Sequence, residues 1–228
     1  MSRGPLSIAW GESSLSPQHA GAVGEATVEI ANTGTVRFGT TIFVSYHWLD
    51  RRDNPIVWDG LRTPVPPLEP GEGAEVRVDV RAPIPPGPYR LALDMVAEGR
   101  AWFSELGSEP LTVDVDVSPR EGEPHADLPD DVEPSADWSE RVRAAHAEGY
   151  AVVAGAIDVQ GRRRPRELDP YRPEGGRQPG FSAPLICPSV LDGVELEPLH
   201  DVAGLPAFAA PRDEPWLYDG RIVLRLRR

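Results

Sequence analysis

Lysine is missing altogether: all 23 basic residues of this 228-residue chain are arginine. Cysteine is nearly missing too, since Cys187 stands alone. One thiol cannot close an internal disulfide, so a small secreted scaffold stapled by disulfides is excluded. No apolar run approaches the ~20 residues of a membrane-spanning helix. Met1-Ser2-Arg3-Gly4-Pro5 lacks the ~7–15-residue apolar stretch of a secretory leader. The expectation is a soluble, cytoplasmic protein with no membrane span. Positive charge is short as well: 36 acids against 23 arginines leave a formal net charge of −13. That sign repels a phosphate backbone and argues against nucleic acid as a partner.

Catalytic signatures are equally scarce. There is no Gly-x-Ser-x-Gly, and the glycine-rich "PEGGRQPG" at 173–180 lacks the lysine–serine/threonine ending of a phosphate-binding loop. The histidines at 19, 47, 125, 146 and 200 show no metal-ligand spacing. Cys187 sits between Ile186 and Pro188 in an apolar run, where a buried, inert thiol is expected. No residue pattern calls for a cofactor or a metal, and none fixes an oligomeric state.

What the chain does have is alternation. Leu6, Ile8 and Trp10 alternate with small residues, and Ala26, Val28 and Ile30 alternate with Thr27 and Glu29. Ile42, Val44, Tyr46 and Trp48 share one face of a third segment. Three more segments repeat the pattern: Val76–Val80, Tyr89–Met95 and Leu111–Val117. Period two puts one side-chain set into a core and the other into water, as in antiparallel sheets with one wet face. Turn residues separate the segments at "RRDNP", "EPGEG", "IPPGP" and "AEGR". Seven or eight short strands so punctuated predict an immunoglobulin-like antiparallel β-sandwich over residues 1–118. Tyr89, opening a strand after a proline–glycine turn, fits a tyrosine corner.

Charge divides the rest. Residues 1–118 hold 16 acids and 9 arginines, net −7. Residues 119–137 hold 7 acids and one arginine, net −6, with few groups to bury, and read as an acidic, proline-rich linker. Residues 138–228 hold 13 of each and read as a small irregular α+β unit. Within it, "SERVRAAHA" predicts a helix stopped by Gly149, and "YAVVAGAIDV" a buried strand. A short helix is expected near Ser189–Gly193. Asp219-Gly220 predicts a hairpin turn in "LYDGRIVLRLRR". The whole chain is therefore expected to be mainly β.

Candidate sites carry two readings each. Trp48, facing the core side, reads as the central plug of the sandwich, with His47 on the reverse face. Trp58, Asp59 and Arg62 combine a flat apolar ring with planar polar groups, which is what sugar recognition needs. The same three residues also suit a plain sandwich edge, with Trp58 as cover and Asp59 paired to Arg62. Trp102 has the same two readings. Asp114 and Asp116 share a strand face, but two carboxylates fall short of the roughly six to eight oxygens of a calcium site. His146 on the expected helix reads as a surface or interdomain residue. Arg162, Arg163, Arg164 and Arg166 form the one basic cluster. It can grip a diphosphate, meet the acidic segment, or face water.

At "VSYHWLD", "VWDGLRTPVPPLEPGE", "PPGPYRLALDMV" and "EGRAWFSELGSEPL" the chain resembles an immunoglobulin-like accessory domain of bacterial surface-polysaccharide biosynthesis proteins. That domain is attached to glycosyltransferases and methyltransferases. It is similar in architecture to the glycan-binding domain of polysaccharide-exporting ABC transporters. The resemblance covers about residues 1–118. It implies a non-catalytic glycan-associated module whose partner is a glycan or a glycan-processing enzyme. "LPDDVEPSADWSERVRAAHAEGYAVVAGAI" is similar to the stretch around the metal-binding aspartates of inverting family-two glycosyltransferases. That resemblance implies an alternative nucleotide-sugar site built from Asp130, Asp131 and the arginine cluster. A protein–protein scaffold working through exposed sheet edges is a third reading.

Overall fold

The computed structural model describes residues 4–159, 184–202 and 204–227, and the backbone of 162–163. The protein is mainly β and divides into two compact units, Met1–Ser118 and Pro119–Arg228.

The first unit is a two-sheet sandwich. Its strands are β1 (Ile8–Leu15), β2 (Val23–Asn32), β3 (Ile42–Leu49), β4 (Pro55–Val57), β5 (Thr63–Pro64), β6 (Gly73–Arg81), β7 (Gly87–Ala97), β8 (Ala101–Trp102) and β9 (Leu111–Val117). One sheet has the order β1-β2-β6; the other runs β4-β3-β7-β8, with β5 on β3 and β9 on β7. All pairings are antiparallel, and the order is immunoglobulin-like.

The alternation sets this up. Val28 and Ile30 of β2 with Val76, Val78 and Val80 of β6 face Val44, Tyr46 and Trp48 of β3 with Leu91, Leu93 and Met95 of β7. β-Branched and aromatic residues dominate, and they pack well on a pleated surface. Trp48 is fully buried, and its indole N–H donates to the Arg81 carbonyl at 2.8 Å. Tyr46 Oη accepts the Arg81 N–H at 2.8 Å. Two rings of β3 thereby tie the end of β6 in the opposite sheet. The Tyr89 hydroxyl donates to the Pro85 carbonyl at 2.7 Å, closing a tyrosine corner.

The second unit contains β10 (Pro124–His125), β11 (Val132–Pro134), helix α1 (Trp138–Glu148), β12 (Val152–Val159), β13 (Arg162–Arg163), β14 (Leu185–Ile186), β15 (Ser189–Leu191), β16 (Ala207–Phe208) and β17 (Trp216–Leu226). Its main sheet has the order β10-β15-β12-β17-β11, with β13 on β12. β12 and β17 run parallel at its centre. Helix α1 lays Val142 and Ala145 against Val153 and Ile222.

Three expectations are corrected here. The acidic stretch 119–137 is not a solvated linker: β10 pairs with β15, and β11 with β17. Backbone pairing needs no apolar side chains, and one inward residue, Val132, suffices to seat β11 against Leu226. The outward Glu133 meets Arg227 at 2.8 Å. Ser189–Leu191 is a buried strand, not a helix, because all three side chains are enclosed beside β12. Trp216–Leu226 is one strand, not a hairpin. Its Asp219-Gly220 turn signal is absorbed in a register shift opposite Gly155/Ala156.

Candidate functional site

The outer face of the β3–β7 sheet should be wet. Alternation turns Ser45 and His47 of β3, and Asp94 of β7, away from the sandwich core, with Ser45 directly opposite Asp94. All three are nevertheless buried, at 0%, 3% and 1% exposure. Their cover comes from two chain reversals. After β4 the chain folds back, with the Gly60 N–H donating to the Tyr46 carbonyl at 3.0 Å, and carries Trp58 over the sheet. The β7–β8 hairpin brings Trp102 in from the other side.

The rings then assemble. Trp58 stacks on His47 with centroids 4.1 Å apart and planes 20° from parallel. Trp102 lies 4.3 Å from His47 and 6.3 Å from Trp58, edge-on to the latter. His47 Nδ1 donates to the Trp58 carbonyl, since that oxygen can only accept. His47 Nε2 lies 3.6 Å from Asp94 Oδ2, beyond hydrogen-bond length. Asp94 also accepts from the Met95 and Ser104 N–H groups, at 2.7 and 3.4 Å. A buried histidine and carboxylate thus underlie an indole that is itself 52% exposed.

Arg62 is the strut of this assembly. It donates to Glu98 Oε2 at 3.0 Å, Ser45 Oγ at 2.8 Å and the Gly60 carbonyl at 3.0 Å, and meets Asp59 Oδ1 at 2.5 Å. Its Cζ lies 4.9 Å from the centre of the Trp102 ring, a cation–π distance. Burial pulls the guanidinium down, but the bonds to Glu98 and Asp59 outweigh this and hold it above its ordinary value.

Trp58, Asp59, Arg62 and Trp102, expected from sequence, thus lie in one cluster. His47, Asp94, Ser45 and Glu98 complete it and were missed. Their signal was present: a histidine and an aspartate at outward positions of two central strands, opposite the small residues Ala92 and Ser45, leave room for a cover.

The other candidates do not assemble. Asp130 is exposed in the turn before β11, and the Asp131 carbonyl accepts the Arg227 N–H at 2.8 Å. Arg162 and Arg163 are described only as backbone of β13, and Arg164 and Arg166 lie outside the described residues. Asp114 and Asp116 are exposed, Asp114 pairing with Arg90 at 3.0 Å. Among the described residues no group of three or more potential metal ligands occurs, and no helix is long and apolar enough to cross a membrane. Cys187 is buried, which pushes its thiol up to about 11.

His146 is a correction: it is a core residue of the second unit, 3% exposed, not a surface one. Its Nδ1 donates to the Tyr150 carbonyl at 2.7 Å, which leaves Nε2 to accept from Ser189 Oγ at 3.0 Å. This is the orientation of a base beside a nucleophile. Ser189 is only 1% exposed, so no substrate reaches it, and the pair is a structural tie. Burial pulls His146 below its ordinary value of 6.5, with the Tyr150 bond opposing. The unfolded chain therefore takes up the proton first as pH falls. His146 contributes stability above 6.5, and that contribution is lost as pH drops through 6.5 toward the folded value. Amide exchange of β12 followed by mass spectrometry should accelerate between pH 7.5 and 5.5, after correction for intrinsic rates. His146→Gln should flatten that dependence.

No family model matches the chain, and no curated protein matches it. Some solved structures align with about half of this chain. A Listeria innocua β-glucosidase in complex with isofagomine is 16% identical over 48% of this chain, with a TM-score of 0.33. A β-glucosidase of saponin metabolism from intestinal bacteria is 20% identical over 48%, TM-score 0.27. The chain spans only 16% of the length of either enzyme. The Bordetella pertussis protein called ApaA is 23% identical, covering 50% of this chain and 91% of its own, TM-score 0.24. Likenesses this slight carry nothing about activity.

Proposed function

We propose that this protein is a non-catalytic glycan-binding accessory module acting in bacterial cell-envelope polysaccharide synthesis or export, alongside a glycan-processing enzyme. The observation that carries the reading is Trp58. Its lower face rests on a buried histidine, so the indole is held in place, while half its surface stays open. A single exposed apolar side chain is ordinary on a surface; what sets Trp58 apart is that its underside is fixed on His47. A rigid indole offers the apolar C–H side of a sugar ring a flat partner at little cost in conformational entropy. Asp59 and Glu98 stand beside it as acceptors for hydroxyl groups. The envelope role rests on the resemblance over residues 1–118.

Isothermal titration of the full chain against envelope oligosaccharides tests this. Trp58→Ala should weaken binding about thirtyfold, as expected for a central aromatic anchor of about 2 kcal/mol. Circular dichroism should show the sandwich retained. Binding that survives the substitution would remove the platform from this reading.

A further inference from the structure

We infer that the Trp58 platform selects sugars by charge: it takes amine-bearing, cationic rings, tolerates neutral ones and rejects uronates and other anionic glycans. The inference rests on the glycan-binding reading above and narrows its ligand class.

The argument starts from Arg62. Among the described residues it is the cation that lies over the aromatic cluster, and on sequence alone it would favour an anionic ligand. In the folded chain four of its N–H directions are already committed, to Glu98, Ser45, Gly60 and Asp59. Turning it toward a ligand would break these bonds and expose the buried Ser45 hydroxyl. Asp59 and Glu98 are in the opposite position. Each gives one oxygen to Arg62, Oδ1 and Oε2 respectively, and among the described residues the second oxygen accepts nothing. Both side chains are more than half exposed. Beside the indole, among the described residues, two carboxylate oxygens thus keep accepting capacity against one remaining Arg62 N–H.

The wider surroundings have the same sign. Segments 58–62 and 98–105, which form the cover, carry Asp59, Glu98 and Glu105 against Arg62 and Arg100. Glu105, exposed, accepts the Trp102 N–H at 3.2 Å. The unit as a whole is at net −7. An ammonium on a ring stacked over Trp58 would gain a charge-assisted hydrogen bond from either free carboxylate oxygen and attraction to the indole face. A ring carboxylate or sulfate in that place would meet the net −1 of these two segments, three acids against two arginines, with four of the five Arg62 N–H groups already committed.

The test compares three oligosaccharides of one length and linkage that carry positive, no and negative charge: glucosamine, N-acetylglucosamine and glucuronate tetramers. They are titrated into the full chain at low salt. Glucosamine should bind about tenfold or more tighter than N-acetylglucosamine, the usual worth of a hydrogen bond to a charged group. Raising salt to 0.5 M should shrink the gap. The double variant Asp59→Asn, Glu98→Gln, which removes the charge but keeps an acceptor oxygen at each position, should close the gap between the amine and acetamide tetramers. Glucuronate should not bind. Two results overturn the inference and leave the glycan-binding reading standing: equal binding of the amine and acetamide sugars, or Trp58-dependent binding of glucuronate. Failure of all three to bind overturns both.

Discussion

Trp48→Ala is expected to cost the first unit about 3–5 kcal/mol, the range for deleting a buried tryptophan. The side chain is fully buried between the two sheets. Its ring meets Tyr89 edge-to-face at 6.2 Å, so the tyrosine corner loses its packing partner. Its N–H is the donor to the Arg81 carbonyl, so the truncation also strips a bond across the sandwich. A cost of this size is a large share of the 5–15 kcal/mol that holds an ordinary domain folded. The measurement is urea-dependent amide exchange of β3 and β7, where the midpoint should fall sharply while β12 in the second unit is unmoved. Trp58→Ala, ten residues on, should shift the same midpoint far less, because half of that ring is already in water. Equal losses at the two positions would contradict the assignment of one indole to the core and the other to the surface.

Gly155→Ala should be the most damaging single-methyl change in the second unit. Gly155 lies in the buried centre of β12, where β17 runs alongside in parallel and shifts register between Asp219 and Val223. A Cβ built on Gly155 would overlap the carbonyl oxygen of Ile222, with the Ile222 Cβ only 2.8 Å away. The obstacle is largely backbone, so no rotamer change relieves it. Either the strands separate or the shift moves, and both disturb Ile222 and Leu224 in the core. Overpacking of this kind costs about 1–3 kcal/mol, and more where backbone must move. Amide exchange of β12 and β17 should speed up by at least tenfold, with the first unit unaffected. Gly193→Ala is the control: it is a turn glycine, at φ 81°, where an added Cβ meets nothing, so any loss there is conformational strain alone.

The alternation along β2, β3, β6 and β7 made the sandwich legible, because the inward residues are apolar apart from Asn32 and most turns between strands carry a glycine or proline. Helix α1 was legible from its spacing and its Gly149 stop. The second unit was less so. Its pairings are short, and β10 and β11 use acidic segments whose contribution is backbone hydrogen bonding, which leaves little trace in composition. Asp219-Gly220 announced a turn, and β17 used the same residues for a bulge; local turn chemistry does not distinguish these, since the choice depends on the parallel neighbour β12. His146 looked like a surface histidine because helical spacing places it near the polar face, and only the arrival of Ser189 from 43 residues away encloses it.

The same division holds at the candidate site. By itself the sequence determined a mainly β protein and an outward-facing position for His47, because period-two alternation is a local property of extended backbone. It also placed Trp58, Asp59 and Arg62 within reach of one another, all lying within five consecutive positions. Only the tertiary structure decided that Trp102 joins them, that His47 and Asp94 are buried beneath, and that Arg62 spends four N–H donors internally while Asp59 and Glu98 each keep a second acceptor oxygen. Those facts depend on how two loops fold back over a sheet face, and side chains brought together by chain reversal have no fixed spacing in sequence.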